Sequence, residues 1–138
     1  MSPNNPSILS HVSVGSGNIE RAQVFYDAVL ATVGCTRLDT YPFAVSYGKA
    51  FPEFWVQTPI NEKPANVGNG SHFAFIADSK EAVDAFFDAA LNHGGIDDGK
   101  PGPRPDYGPA YYGCFVRDLD GHKIEATYWD AEKMEGPA

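Results

Sequence analysis

"HVSVGSGNIERAQVFYDAVLATVG" (residues 11–34) can be laid over "HFAFIADSKEAVDAFFDAALNHGG" (72–95) without a gap. The two stretches share His11/His72, Glu20/Glu81, Phe25/Phe86, Asp27/Asp88, Ala28/Ala89, Leu30/Leu91 and Gly34/Gly95. That is seven identities in 24 positions, where average composition gives roughly one or two. Each copy opens with alternating residues, Val12 and Val14 or Phe73 and Phe75 on one face, which is the period of a strand. Asn18 and Ser79 then stand where a helix N-cap accepts the first free amides. Apolar residues follow at helical spacing: Ala22, Phe25, Tyr26, Val29 and Leu30, matched by Val83, Phe86, Phe87, Ala90 and Leu91. Gly34 and the Gly94-Gly95 pair supply the helix stops.

Outward from the repeat, strand patterns occupy roughly 35–40, 43–48 and 53–58 in the first half, and 110–117 and 121–129 in the second. Between the second helix and its strands lies "DDGKPGPRPDYGP" (97–109), whose proline and glycine content reads as a long loop. The turn "DLDG" (118–121) joins the last two strands as a hairpin. The expectation is therefore an α+β fold of two βαβββ modules in a pseudo-twofold arrangement that encloses a cavity, about 8–59 and 70–129, within a single domain spanning 1–138. The tail from 130 onward is polar and carries no predicted element.

Composition bounds the function. The 138 residues carry a formal charge of −8, which argues against nucleic acid or an anionic membrane surface as partner. No apolar run approaches the ~20 residues that span a bilayer, and the first residues lack the pattern of a signal peptide. A cytoplasmic protein is expected. Cys35 and Cys114 lie far apart in apolar segments and read as small core residues.

Strand alternation then assigns the histidines. If Val12/Val14 and Phe73/Phe75 face the helices, His11 and Ser13 face the other way, as do His72 and Ala74. Small neighbours beside two imidazoles leave room for an ion and a ligand. Ile124 and Ala126 suit the helix side of the last strand, which puts Glu125 on the face of the histidines. A lone strand histidine is usually a satisfied core residue. Two at equivalent repeat positions with a glutamate suit a divalent transition metal (Zn, Ni, Mn or Fe) with positions left open for water or substrate. His93 reads as a helix-end cap or a surface residue, and His122 falls on the opposite face from Glu125.

The paired modules, the strand-leading "SHV" and "SHF" and the ending "DLDGHKIEA" resemble the vicinal oxygen chelate superfamily, which includes glyoxalase I, bleomycin-resistance proteins, fosfomycin-resistance enzymes and extradiol dioxygenases. The resemblance runs over about residues 8–129, with Leu119 where the family's signature usually has proline. It places His11, His72 and Glu125 at the metal-ligand positions, in agreement with strand parity. It also implies a homodimer, with pockets within one chain or across the interface.

Departures from the family pattern narrow the reading. Matching "EFWVQ" to "KIEAT" sets Trp55 opposite Glu125, where glyoxalase I places a fourth ligand, and tryptophan cannot ligate. Extradiol dioxygenases carry a catalytic histidine ahead of the signature strand, and no residue between 94 and 121 is histidine. The serines and basic site of fosfomycin-resistance enzymes have no match in "YGPAYYGCF", although Ser13 occupies the position of a hydroxyl near their substrate. Tyr111 and Phe115 alternate onto the cavity side with Gly113. Trp55 reads either as an aromatic wall for a flat ligand or as ordinary core. Arg104 reads either as a clamp for a carboxylate or phosphate or as a solvated loop charge. Two functions follow: a metal-dependent enzyme of lyase, isomerase or dioxygenase type acting on a small oxygen-bearing substrate, or a non-catalytic protein that sequesters a small molecule. No general base is identified.

Overall fold

The computed structural model describes residues 6–134. The first module runs β1 (Val12–Gly15), α1 (Ile19–Ala31), β2 (Thr36–Tyr41), β3 (Ala44–Gly48) and β4 (Phe54–Gln57). The second runs β5 (His72–Ile76), α2 (Lys80–Asn92), β6 (Ile96–Pro103), β7 (Tyr111–Arg117) and β8 (Lys123–Trp129), so the α+β pair of βαβββ units is as expected. Each module forms its own four-stranded sheet, in the orders β1-β4-β3-β2 and β5-β8-β7-β6. The first strand of each lies parallel to the last, and the other neighbours are antiparallel.

The repeat extends to register. Val12 pairs with Phe54, Ser13 with Trp55 and Val14 with Val56; the second module answers with Phe73–Ile124, Ala74–Glu125 and Phe75–Ala126. Asn18 and Ser79 cap their helices through side chains that accept from the amides of Arg21 and Ala82, each at 3.0 Å. Both helices bury the anticipated stripe against the sheet, except that Leu91 is exposed while its counterpart Leu30 is buried. Complete burial of side chains such as Phe25 and Phe86 stabilises the fold by about 1.5–3 kcal/mol each. Gly34 and Gly94 follow the helices at φ +80° and +95°, a conformation that favours glycine.

One expectation needs correction. Much of the segment 97–109 is strand, since β6 pairs antiparallel with β7 along the sheet edge. Its register shifts between Asp97 and Gly99 and again between Gly99 and Gly102. An edge strand tolerates proline on its unpaired side, and bulges absorb the glycines. Residues Pro105–Tyr107 form a single 3-10 turn, as do Ala131–Lys133 in the tail; 1–5 and 135–138 lie outside the described residues.

The modules meet through the turn 118–121. Tyr26 in α1 donates to Asp118 Oδ2 at 2.5 Å, and the amide of Gly17 donates to Asp120 Oδ1 at 2.9 Å. His122 Nε2 lies 2.6 Å from the carbonyl of Gly15, which can only accept, so Nε2 carries the proton. Phe54 packs edge-on against Phe73 and Phe75 across the same boundary. Cys35 and Cys114 are free thiols, and burial pushes the Cys114 thiol up to about 12. Among the described residues, no helix is long and apolar enough to cross a membrane.

Candidate metal and substrate site

Sheet parity decides which side chains meet. On β8, Ile124 and Ala126 are fully buried beneath α2, so Glu125 projects from the helix-free face. His72, at the start of β5, projects from the same face. Its Nε2 lies 3.3 Å from Glu125 Oε1, with the imidazole half exposed and the carboxylate almost fully buried. The other carboxylate oxygen accepts a 2.6 Å hydrogen bond from the Tyr111 hydroxyl. Burial raises the Tyr111 pKa above its ordinary value, and the bond to Glu125 adds to the effect.

Tyr111 reaches Glu125 by lying over Gly113. A Cβ at position 113 would come within 2.2 Å of the Tyr111 hydroxyl oxygen. Edge contacts from Tyr107 and Trp129, with centroids at 4.9 and 5.2 Å, hold the ring in place. Phe115 pairs with Glu125 across β7 and β8 and stands edge-on to His72 at 6.2 Å. Lys123 Nζ sits 4.8 Å from the Phe115 ring centroid, and the Arg104 guanidinium 6.0 Å from it. Arg104 thus borders the helix-free face, but it also donates to the carbonyls of Lys100, Gly102 and Pro103.

In the first module, Phe54 and Val56 are buried on the helix side, which leaves Trp55 half-buried on the face of Ser13. Trp55 therefore occupies the position that Glu125 holds in the second module, as the strand matching predicts. Ser13 is exposed. His11 precedes β1, is exposed, and has Nδ1 3.0 Å from Ser10 Oγ. It borders, with His72, Glu53 and Phe73, an open depression of about 300 Å³ between the modules. Among the described residues, no three His, Cys, Asp or Glu side chains converge within one chain. The structure thus unites His72 with Glu125 and leaves His11 outside that pair.

The pair suits a divalent ion: a ring nitrogen and a carboxylate oxygen face one another, and the second carboxylate oxygen is already satisfied. The hydroxyl of Tyr111 on Glu125, the contact of Lys123 with Phe115 and the His122 bond to Gly15 were not legible from spacing. The same-face run Tyr111, Gly113, Phe115 was the available signal for the first, because a glycine between two aromatics leaves a slot for a ring.

Two modules of equal register, each with a helix on one face and polar and aromatic side chains on the other, define a paired-βαβββ protein. The sequence model of the Glyoxalase/Bleomycin resistance protein/Dioxygenase superfamily matches residues 8–126, and the chain belongs to that superfamily. A solved glyoxalase/bleomycin resistance protein from Albidiferax ferrireducens T118 is 38% identical, with a TM-score of 0.80 over 88% of this chain and 98% of that one. A glyoxalase-related enzyme from Fulvimarina pelagi shares the fold at 18% identity, with a TM-score of 0.67 over 89% of this chain and 88% of the other. A lactoylglutathione lyase from Agrobacterium tumefaciens does so at 20% identity, with a TM-score of 0.63 over 93% and 96%. No curated protein matches the chain.

Proposed function

We propose that the protein is a divalent-metal-dependent enzyme acting on a small oxygen-bearing substrate, and that it works as a homodimer. The observation that carries this reading is the convergence of His72 Nε2 and Glu125 Oε1 at 3.3 Å on a helix-free sheet face. His72 and Glu125 would hold the ion from one chain, and His11 of a second copy would supply the third ligand. One feature supports a second copy: the helix-free faces are open, with Ile76 on β5 at 74% exposure. Such an apolar side chain on an open face suits contact with another protein surface.

When bound, the ion supplies Lewis acidity to substrate oxygens. The chain's own residues bind and orient. Phe115 and Tyr111 wall one side of the site. Trp55 and Ser13 from the facing module offer a stacking surface and a hydroxyl on the other. Arg104 stands where it can meet an anionic group at the mouth.

Metal analysis of the protein as purified tests the reading. One Zn, Ni, Mn or Fe ion per chain is expected, with most of it lost in His72→Ala. A wild-type protein that neither purifies with metal nor takes it up on titration would refute this reading and favour the sequestering alternative.

A further inference from the structure

We infer that Tyr111, placed by Gly113, is a positioning residue that confines Glu125 to a single ligating oxygen. The inference rests on the metal reading above. Glu125 has two carboxylate oxygens, and the fold treats them differently. Oε1 faces the ring nitrogen of His72 at 3.3 Å, whereas Oε2 accepts the Tyr111 hydroxyl at 2.6 Å. Tyr111 is 3% exposed, and its ring is wedged between Tyr107 and Trp129, so the hydroxyl cannot swing away without opening that cluster. Gly113 makes the arrangement possible: any Cβ there would occupy space within 2.2 Å of the hydroxyl oxygen and 2.6 Å of the ring carbon that bears it. The pair Tyr111 and Gly113 thus forms one device across two alternate positions of β7.

The chemical consequence concerns open positions on the ion. A carboxylate free to rotate can bind a divalent ion through both oxygens and so take a position that substrate would use. The Tyr111 hydroxyl takes one lone pair of Oε2 and anchors the carboxylate plane, which disfavours that rotation. Outer hydrogen bonds of this kind fix ligand orientation, and their loss typically costs about 10–100-fold in metal affinity. Tyr111 therefore keeps Glu125 one-pronged and holds a position free for substrate oxygen.

The experiment compares wild type with Tyr111→Phe, titrating metal-free protein with Co²⁺ and recording both affinity and visible absorption. Tyr111→Phe keeps the ring and its packing, so unchanged thermal unfolding of the metal-free protein is expected. Co²⁺ should bind about 10-fold more weakly, and its absorption should weaken as a second carboxylate oxygen joins the coordination shell. Gly113→Ala should give the same spectral change, because the added methyl displaces the hydroxyl. Identical affinity and spectrum in wild type and Tyr111→Phe would overturn the inference and leave the metal reading intact. A wild type that takes up no Co²⁺ would end both together.

Discussion

Replacing Tyr26 with phenylalanine removes one oxygen from the boundary between the modules, and the structure specifies what that should cost. The hydroxyl is completely buried and donates to Asp118 Oδ2 at 2.5 Å. Asp118 is itself 4% exposed, and its other oxygen accepts from the amides of Asp120 and His122. Tyr26→Phe therefore strips Oδ2 of this donor and leaves Oδ1 served. A hydrogen bond to a charged group contributes about 1.5–3 kcal/mol, so a loss near 2 kcal/mol is expected at neutral pH. For a chain of 138 residues that corresponds to a fall in Tm of about 7 °C.

The loss should also depend on pH, and in one direction. Burial raises the Asp118 pKa above its ordinary value, and the Tyr26 hydroxyl opposes that rise. A raised carboxyl pKa means that the folded state binds the proton more tightly than the unfolded one. The associated stability is full below about pH 3.9 and is lost as pH climbs through the raised value. Without the hydroxyl the pKa rises further, so the variant's deficit should be largest at pH 7 and shrink toward pH 4. Urea unfolding followed by the fluorescence of Trp55 and Trp129 would measure both. An equal deficit at the two pH values, or one below about 0.5 kcal/mol, would refute the reasoning.

Other outcomes follow from the same geometry. If His11 comes from the second copy, His11→Ala and His72→Ala proteins should each lose metal, while co-expressed mixed dimers should regain one ion per dimer; no recovery would place the site within one chain. Trp55→Glu should tighten metal binding, since position 55 has the register of Glu125, with some loss of stability from the smaller side chain. Unaltered affinity on metal titration would argue against that placement. Burial raises the pKa of Tyr26 and Tyr47, each also bonded to a carboxylate, so both resist ionisation in the folded state. Their contribution to stability is full below about pH 10 and is lost above it. Denaturation midpoints should accordingly fall between pH 10 and 11.5, and a flat profile would count against both assignments.

Much of this was legible in the sequence because it is local. Caps, helix stripes and strand faces depend on neighbours a few positions apart, and the repeat let each module confirm the other. The equivalence of Trp55 and Glu125 followed from that. What was not legible depends on long-range placement. Pro101 and Pro103 hide β6, since proline belongs to a strand only where its missing N–H faces no partner, and only the sheet order reveals an edge. His122 appeared uninvolved because its partner, the Gly15 carbonyl, lies 107 residues away. A repeat relates residues between modules but does not say whether His11 meets His72 in one chain.

The edge at β6 also bears on how the molecule behaves in crowded solution. A free strand normally offers a row of unpaired amides and carbonyls on which another chain can extend the sheet, the first step toward fibrous association. Along β6, Pro101 and Pro103 delete two of those amides, the register shifts break the even spacing, and Asp97, Asp98 and Lys100 place charges on the strand. A stranger's backbone finds no continuous template there. Backbone pairing is thereby disfavoured along that rim, so a contact made there rests on side chains rather than on a shared ladder.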